Sequence, residues 1–167
     1  TQIRHGRFAS LNVTGESKST VLSLRQPVFV DKRSQLDLLA GAKTRRVDNW
    51  ISGVFLNKTE TADGNLGAEF QRADASGVWL GNYSYTFGQV HTNGDETYGY
   101  GRGWLRRQQQ LPKEWSLIGS ASFQHARKPL LPSGEQFVIG GEGSVRGYPV
   151  GTYSGDSGYT LSAELHH

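Results

Sequence analysis

The chain contains no cysteine. A disulfide framework, a thiolate metal site and a cysteine nucleophile are therefore excluded. Long apolar runs are missing too. Only 35% of the 167 residues are hydrophobic, and no stretch approaches the ~20 consecutive apolar residues of a transmembrane helix. A helical membrane protein is excluded on that ground. A β-barrel is not, because its strands need an apolar residue only at every second position, so the mean hydropathy of −0.53 decides nothing about membranes. Charge of one sign is also scarce. The net charge is +3, and the basic residues are scattered (Arg45-Arg46, Arg102, Arg106-Arg107, Arg127-Lys128) rather than massed in one block, which argues against nucleic acid as a partner. The length suits one domain with a real core.

What is present is alternation with period two. Tyr159, Leu161, Ala163 and Leu165 oppose Thr160, Ser162, Glu164 and His166, giving one apolar and one polar face. Trp115, Leu117, Gly119, Ala121 and Phe123 oppose Ser116, Ile118, Ser120, Ser122 and Gln124. Trp79, Gly81, Tyr83, Tyr85 and Phe87 oppose Val78, Leu80, Asn82, Ser84 and Thr86. The same rule pairs Leu66, Ala68 and Phe70 against Gly67, Glu69 and Gln71, and Leu36, Leu38, Ala40 and Ala42 against Asp37, Leu39, Gly41 and Lys43. Shorter sets are Val21, Ser23 and Arg25 against Leu22 and Leu24, and Ala9, Leu11 and Val13 against Ser10, Asn12 and Thr14. Tyr98, Tyr100 and Trp104 share a face with Arg102 and Arg106, so the orientation of that segment is open. About eight strands are expected from this periodicity.

The links between them are uneven. Residues 31–35, 73–77 and 111–114 read as short turns, whereas 46–60, 90–97 and 127–158 read as longer loops, with 15–18 a shorter loop on the same side. Short turns at one end and long loops at the other fit a transmembrane barrel. A soluble sandwich or lipocalin-like barrel also alternates, but its inward face should be dominated by β-branched and large aliphatic residues. Here the apolar faces hold Tyr, Trp, Phe, Leu, Ala and Gly. Aromatics cluster near strand ends (Tyr85 and Phe87, Tyr98 and Tyr100, Trp115, Tyr159), as in interfacial girdles.

The last third carries the most specific signal. Phe137-Val-Ile-Gly-Gly-Glu-Gly-Ser-Val-Arg-Gly-Tyr148 precedes Gly155-Asp-Ser-Gly158 and then Glu164-Leu165. Weaker pieces are Arg25-Gln26-Pro27 and the Lys128-Pro-Leu-Leu-Pro-Ser-Gly-Glu-Gln-Phe137 run into the loop. This combination resembles the two-partner secretion transporters, the outer-membrane barrels of the ShlB/FhaC/HecB type, whose Val-Arg-Gly-Tyr/Phe loop tip folds back into the lumen. The resemblance implies an all-β, antiparallel transmembrane β-barrel, of which residues 1–167 supply part, in a barrel of about sixteen strands. Residues 127–158 would be the lumen-folded loop, with the periplasmic domains and final strands outside this sequence. The chain opens without a signal peptide, so it is expected to begin inside the mature protein.

By the same resemblance, Val145, Arg146, Gly147 and Tyr148 form the loop tip, and Arg146 pairs with an acid on the inner wall, in strands beyond this sequence. A guanidinium can hold a carboxylate with two parallel hydrogen bonds, which Lys cannot copy. Within the sequence, Glu164, Glu69 and Asp37 are acids on polar faces, and nothing in the residues chooses among them. Gly140, Gly141, Gly143 and Gly158 shape the loop, and Gly143 and Gly147 are expected to need positive φ or close approach. Asp156 caps a turn on the loop's return.

Other chemistry lacks its parts. There is no Gly-x-Ser-x-Gly elbow, and Gly140-Gly-Glu-Gly143 lacks the Gly-Lys-Ser/Thr ending of a phosphate loop. Asp156 lacks the oxygen-donor neighbours calcium takes, and His5, His91, His125, His166 and His167 show no ligand spacing beyond the terminal pair. No catalytic residue, metal or cofactor is expected. The function implied by the resemblance is ATP-independent secretion of a large haemolysin- or adhesin-type exoprotein across the bacterial outer membrane. Its partners would be that exoprotein, outer-membrane lipid, and the remaining strands and periplasmic domains of the same protein. The barrel-assembly factors of the same superfamily share the loop motif and form the first alternative. A ligand-binding or enzymatic barrel is the second.

Overall fold

Alternating residues commit the backbone to extended pairs, and the computed structural model, which describes residues 13–92, 94–128 and 131–167, joins them into one antiparallel sheet. Its strands are β1 (Val13–Val30), β2 (Ser34–Ile51), β3 (Val54–Asp74), β4 (Gly77–His91), β5 (Asp95–Gln110), β6 (Ser116–Ala126) and β9 (Gly158–His166). A small hairpin, β7 (Phe137–Ile139) with β8 (Tyr153–Gly155), lies within the 127–157 connection, after a 3-10 turn at Ser133–Glu135. The seven-stranded sheet runs in chain order and is an open part of a barrel.

The expected eight strands differ at the start. Residues 15–18 are not a loop: β1 runs unbroken from Val13, pairing Gly15 with Asn49 and Lys18 with Arg46. Ala9 and Leu11 of the first expected strand lie outside the described residues. Nor is 46–60 a loop. Strands β2 and β3 continue through it, closed by a tight turn at Ser52 and Gly53, both at positive φ. Likewise β4 and β5 pair out to His91 and Asp95. The uneven ends of the barrel therefore come from strand extension and from the single long 127–157 connection. A tilted strand needs only about 9–11 residues to cross a bilayer, and β2 and β3 have 18 and 21.

Register shows which residues of these strands share the apolar face. Directly paired residues share a face, so Leu22, Ala42, Gly64 and Phe87 form one outer row and Leu38, Ala68 and Tyr83 another. These side chains are solvent-accessible in the isolated sheet: Leu22 is 74% and Leu161 73% exposed. A continuous exposed apolar face of this size needs a non-aqueous neighbour. Along β2 the outer positions are apolar from Leu36 to Ala42 and charged from Arg46, where Arg46–Asp48 (2.9 Å), Lys58–Glu60 (2.6 Å) and Lys18–Glu16 (3.0 Å) pair. At the opposite end Arg107 lies over the Trp79 ring and pairs with Asp74 at 2.6 Å. The apolar band is bounded by charge on both sides, as a bilayer requires.

Candidate functional site

The other face is polar and carries the 127–157 connection. Strict alternation puts Lys43, Asp63, Tyr98, Tyr100, Arg102 and Gln124 on this inner wall, and the loop descends onto them. Glu135, 5% exposed, is the contact. Its carboxylate accepts hydrogen bonds from Lys43 Nζ at 2.8 Å and Tyr100 Oη at 2.6 Å, while its carbonyl accepts from Arg102 Nη2 at 3.2 Å and Gln124 Nε2 at 3.0 Å. Lys43 also faces Asp63 at 3.5 Å, and Tyr98 Oη donates to Asp63 at 3.2 Å. Leu131 packs with Tyr98 and Tyr100 to form the buried apolar cluster of the described residues.

Burial pushes the Glu135 carboxyl up, but the hydrogen bonds from Lys43 and Tyr100 and the positive charges of Lys43 and Arg102 outweigh it and leave the group below its ordinary value. Tyr98 and Tyr100 are thus corrected from the girdle to the inner wall. Their hydroxyls serve loop carboxylate and wall carboxylate, not the lipid interface.

The tip lies further along the wall. Its backbone folds on itself: Gly140 N donates to Ser144 Oγ at 2.8 Å and Gly141 N to the Tyr148 carbonyl at 3.0 Å. Gly140 sits at φ +119, and a Cβ there would lie 2.3 Å from the Pro149 carbonyl oxygen. Gly141 and Gly147 also hold positive φ. Gly143 does not, and nothing lies within 4 Å of where its Cβ would be, so neither reason expected for a glycine there applies. Gly158 closes against the Phe137 ring.

Arg146 Nη2 donates to Glu164 Oε1 on β9, one of the three acids on polar faces of the sequence. The contact runs through one nitrogen instead of the expected two-pronged fork. Arg146 is 70% exposed, and Val145 and Tyr148 are exposed beside it. Asp156 also ties the loop's return to its start: its Oδ1 accepts from Leu131 N at 3.0 Å, and its carbonyl accepts from Gln124 Nε2 at 3.0 Å.

Asp37, 1% exposed, and Glu69, the other two acids that the sequence offered Arg146, are taken by Arg25. Its Nε donates to Asp37 at 2.5 Å and its Nη2 to Glu69 at 2.6 Å, with Gln35 on Asp37 at 3.0 Å. Among the described residues no group of three or more His, Asp or Glu side chains could hold a metal ion.

The polar wall with a long segment packed on it, and the apolar band behind it, agree with what the chain matches. The haemolysin secretion/activation protein family ShlB/FhaC/HecB matches residues 1–167. The chain belongs to that family. Among solved structures, CdiB from Escherichia coli superimposes with a TM-score of 0.82 at 21% identity, over 99% of this chain and 33% of that one. CdiB from Acinetobacter baumannii does so with a TM-score of 0.76 at 18% identity, over 98% and 31%. The chain therefore spans about a third of the length of the solved structures it matches. No curated protein matches it at the level of sequence.

The loop motif of this ShlB/FhaC/HecB member points to the tip and not to Glu135, Lys43 or Tyr100. A signal was available. Glu135 is the one acid in the run from Arg127 to Gly141, which also holds Leu130, Leu131 and Phe137, and a carboxylate that such a loop buries needs a partner; Lys43 lies on a polar strand face opposite Asp63.

Proposed function

We propose that residues 13–167 form wall and inward loop of an outer-membrane pore that secretes a large partner exoprotein of haemolysin or adhesin type, with no ATP. The observation that carries this reading is the docking of the 127–157 connection on the polar face by Glu135, Lys43 and Tyr100, with the apolar face turned the other way. Extracellular decoration would leave the loop above the strands. A loop drawn down onto the inner wall occupies the path that a translocating chain would take. The inner wall supplies hydroxyl and charged groups (Ser120, Ser122, Thr160, Ser162, Arg106) along β5, β6 and β9, which an unfolded peptide can exchange for its water without a deep binding site.

Family membership favours a transporter over a barrel-assembly factor. No catalytic group is assigned. The localisation proposed is the Gram-negative outer membrane. The test is reconstitution of the full-length protein in proteoliposomes without nucleotide, with the unfolded exoprotein supplied on the periplasmic side. Protected, folded exoprotein on the other side supports the reading. Passage only with ATP, or none while a control protein of the family exports its own partner, contradicts it.

A further inference from the structure

The loop is held at two places of very different character. At its base Glu135 is buried, and its side chain and carbonyl together take four hydrogen bonds from Lys43, Tyr100, Arg102 and Gln124, which come from β2, β5 and β6. At its tip Arg146 and Glu164 meet through a single contact between accessible side chains. Between base and tip stands the short β7–β8 hairpin, and the tip beyond it is closed on itself by Gly140–Ser144 and Gly141–Tyr148 bonds. The two ends of that tip are Gly140 and Gly151, both at positive φ. Base and tip are thus separate units joined through glycines, and only the base is locked.

We propose that Glu135 is the positioning residue of the loop: it fixes the base to three strands of the inner wall, so that the tip can leave Glu164 and return without the base undocking. The inference rests on the pore reading above, for which it supplies the fixed end of a moving part. Lys43 is the complementary wall residue. It stands between Glu135 and Asp63, so that losing Glu135 leaves it one partner and lets the wall persist. A consequence follows for export. Freeing the tip would open the path while the loop stays registered, whereas freeing the base would let the whole loop wander into it.

The experiment uses the full-length protein in lipid nanodiscs, with one spin label at the base (Ser133→Cys) or at the tip (Glu142→Cys), both exposed positions, combined with Arg146→Ala, Glu135→Gln, Glu135→Asp or Lys43→Met. Expected is that Arg146→Ala mobilises the tip label and leaves the base label immobilised. Glu135→Gln should mobilise both labels, and Lys43→Met added to Glu135→Gln should change neither further. Glu135→Asp should recover part of the base immobilisation, since it keeps the charge on a shorter arm. Heat-modifiable mobility in gels shows in every variant that the barrel has formed. If Glu135→Gln leaves the base label as immobile as the parent, or if Arg146→Ala frees the base, the proposal is overturned. These readouts do not depend on the exoprotein. Failure of the pore reading would show as absent export with intact label behaviour, and failure of this inference as label behaviour independent of Glu135.

Discussion

Arg146 reaches Glu164 across 18 residues of sequence and ties the loop tip to the inner face of the strand into which the loop returns. The local connectivity explains the pairing: β9 begins at Gly158, directly after the loop, and strict alternation turns Glu164 to the wall face beside Ser162 and Thr160. An exposed ion pair of this kind contributes about 0.2–1 kcal/mol. Arg146→Ala should therefore loosen the tip while leaving barrel stability within that range, measured by urea unfolding in lipid. Arg146→Lys should restore tip order nearly fully if one nitrogen suffices, as the geometry shows. Partial rescue would contradict a contact made through one nitrogen alone.

The faces of β6 and β9 should respond oppositely to charge. Leu161 and Ala121 pair on the outer face, while Ser120 and Ser162 pair on the inner one. Arg placed at Leu161 should destabilise folding into bilayers by roughly 2–4 kcal/mol near the midplane. At Ser162 the same residue faces the polar wall, and the change should be small. Reversible unfolding titrations in lipid vesicles measure both, and equal losses would contradict the assignment of faces.

Acid should release the loop base. The Glu135 carboxyl is held below its ordinary value of 4.5 when docked. The docked state is therefore favoured in full above that value, and the advantage is lost as pH falls through the lower docked value. The charged and titratable groups facing Glu135 are Lys43, Asp63, Tyr98, Tyr100 and Arg102. Asp63 is the other carboxylate of the set, so the Glu135→Gln variant separates the two. A base label that mobilises on acidification in the parent, and shows no acid transition in Glu135→Gln, is the expected outcome.

Two glycines of the tip should differ sharply. Gly140→Ala puts a Cβ against the Pro149 carbonyl at positive φ, a strain of order 1–3 kcal/mol, and should disorder the tip. Gly143→Ala meets nothing within 4 Å and should leave tip order unchanged. Tip-label spectra of the two variants compare them directly.

The outer face was legible because lipid imposes period two on every residue it touches: Leu36 to Ala42, Trp79 to Phe87 and Tyr159 to Leu165 all lie where alternation puts them. Legibility ended where that constraint ends. Residues 15–18 and 46–60 extend past the regular apolar band: 15–18 is polar on both faces, and 46–60 carries its apolar residues in runs around the Ser52-Gly53 turn rather than at every second position, so strands there look like loops. Tyr98 and Tyr100 misled for a related reason. An aromatic on an inner wall is expected to be rare until a loop packs on it, and Leu131 and Glu135 do so from more than thirty residues away in sequence. Of the candidate site, Val145 to Tyr148 could be read from the motif, whereas Glu135 and Lys43 come together only through the fold, 92 residues apart.

The central claim is that the polar face of this sheet is the export path, and neighbouring residues on opposite faces test it best. A photo-crosslinking amino acid placed at Ser162 in the full-length protein should capture a stalled exoprotein in transit, while the same group one residue away at Leu161 should capture lipid and no exoprotein. Exoprotein captured at Leu161 as readily as at Ser162, or at neither position while export proceeds, would contradict the account.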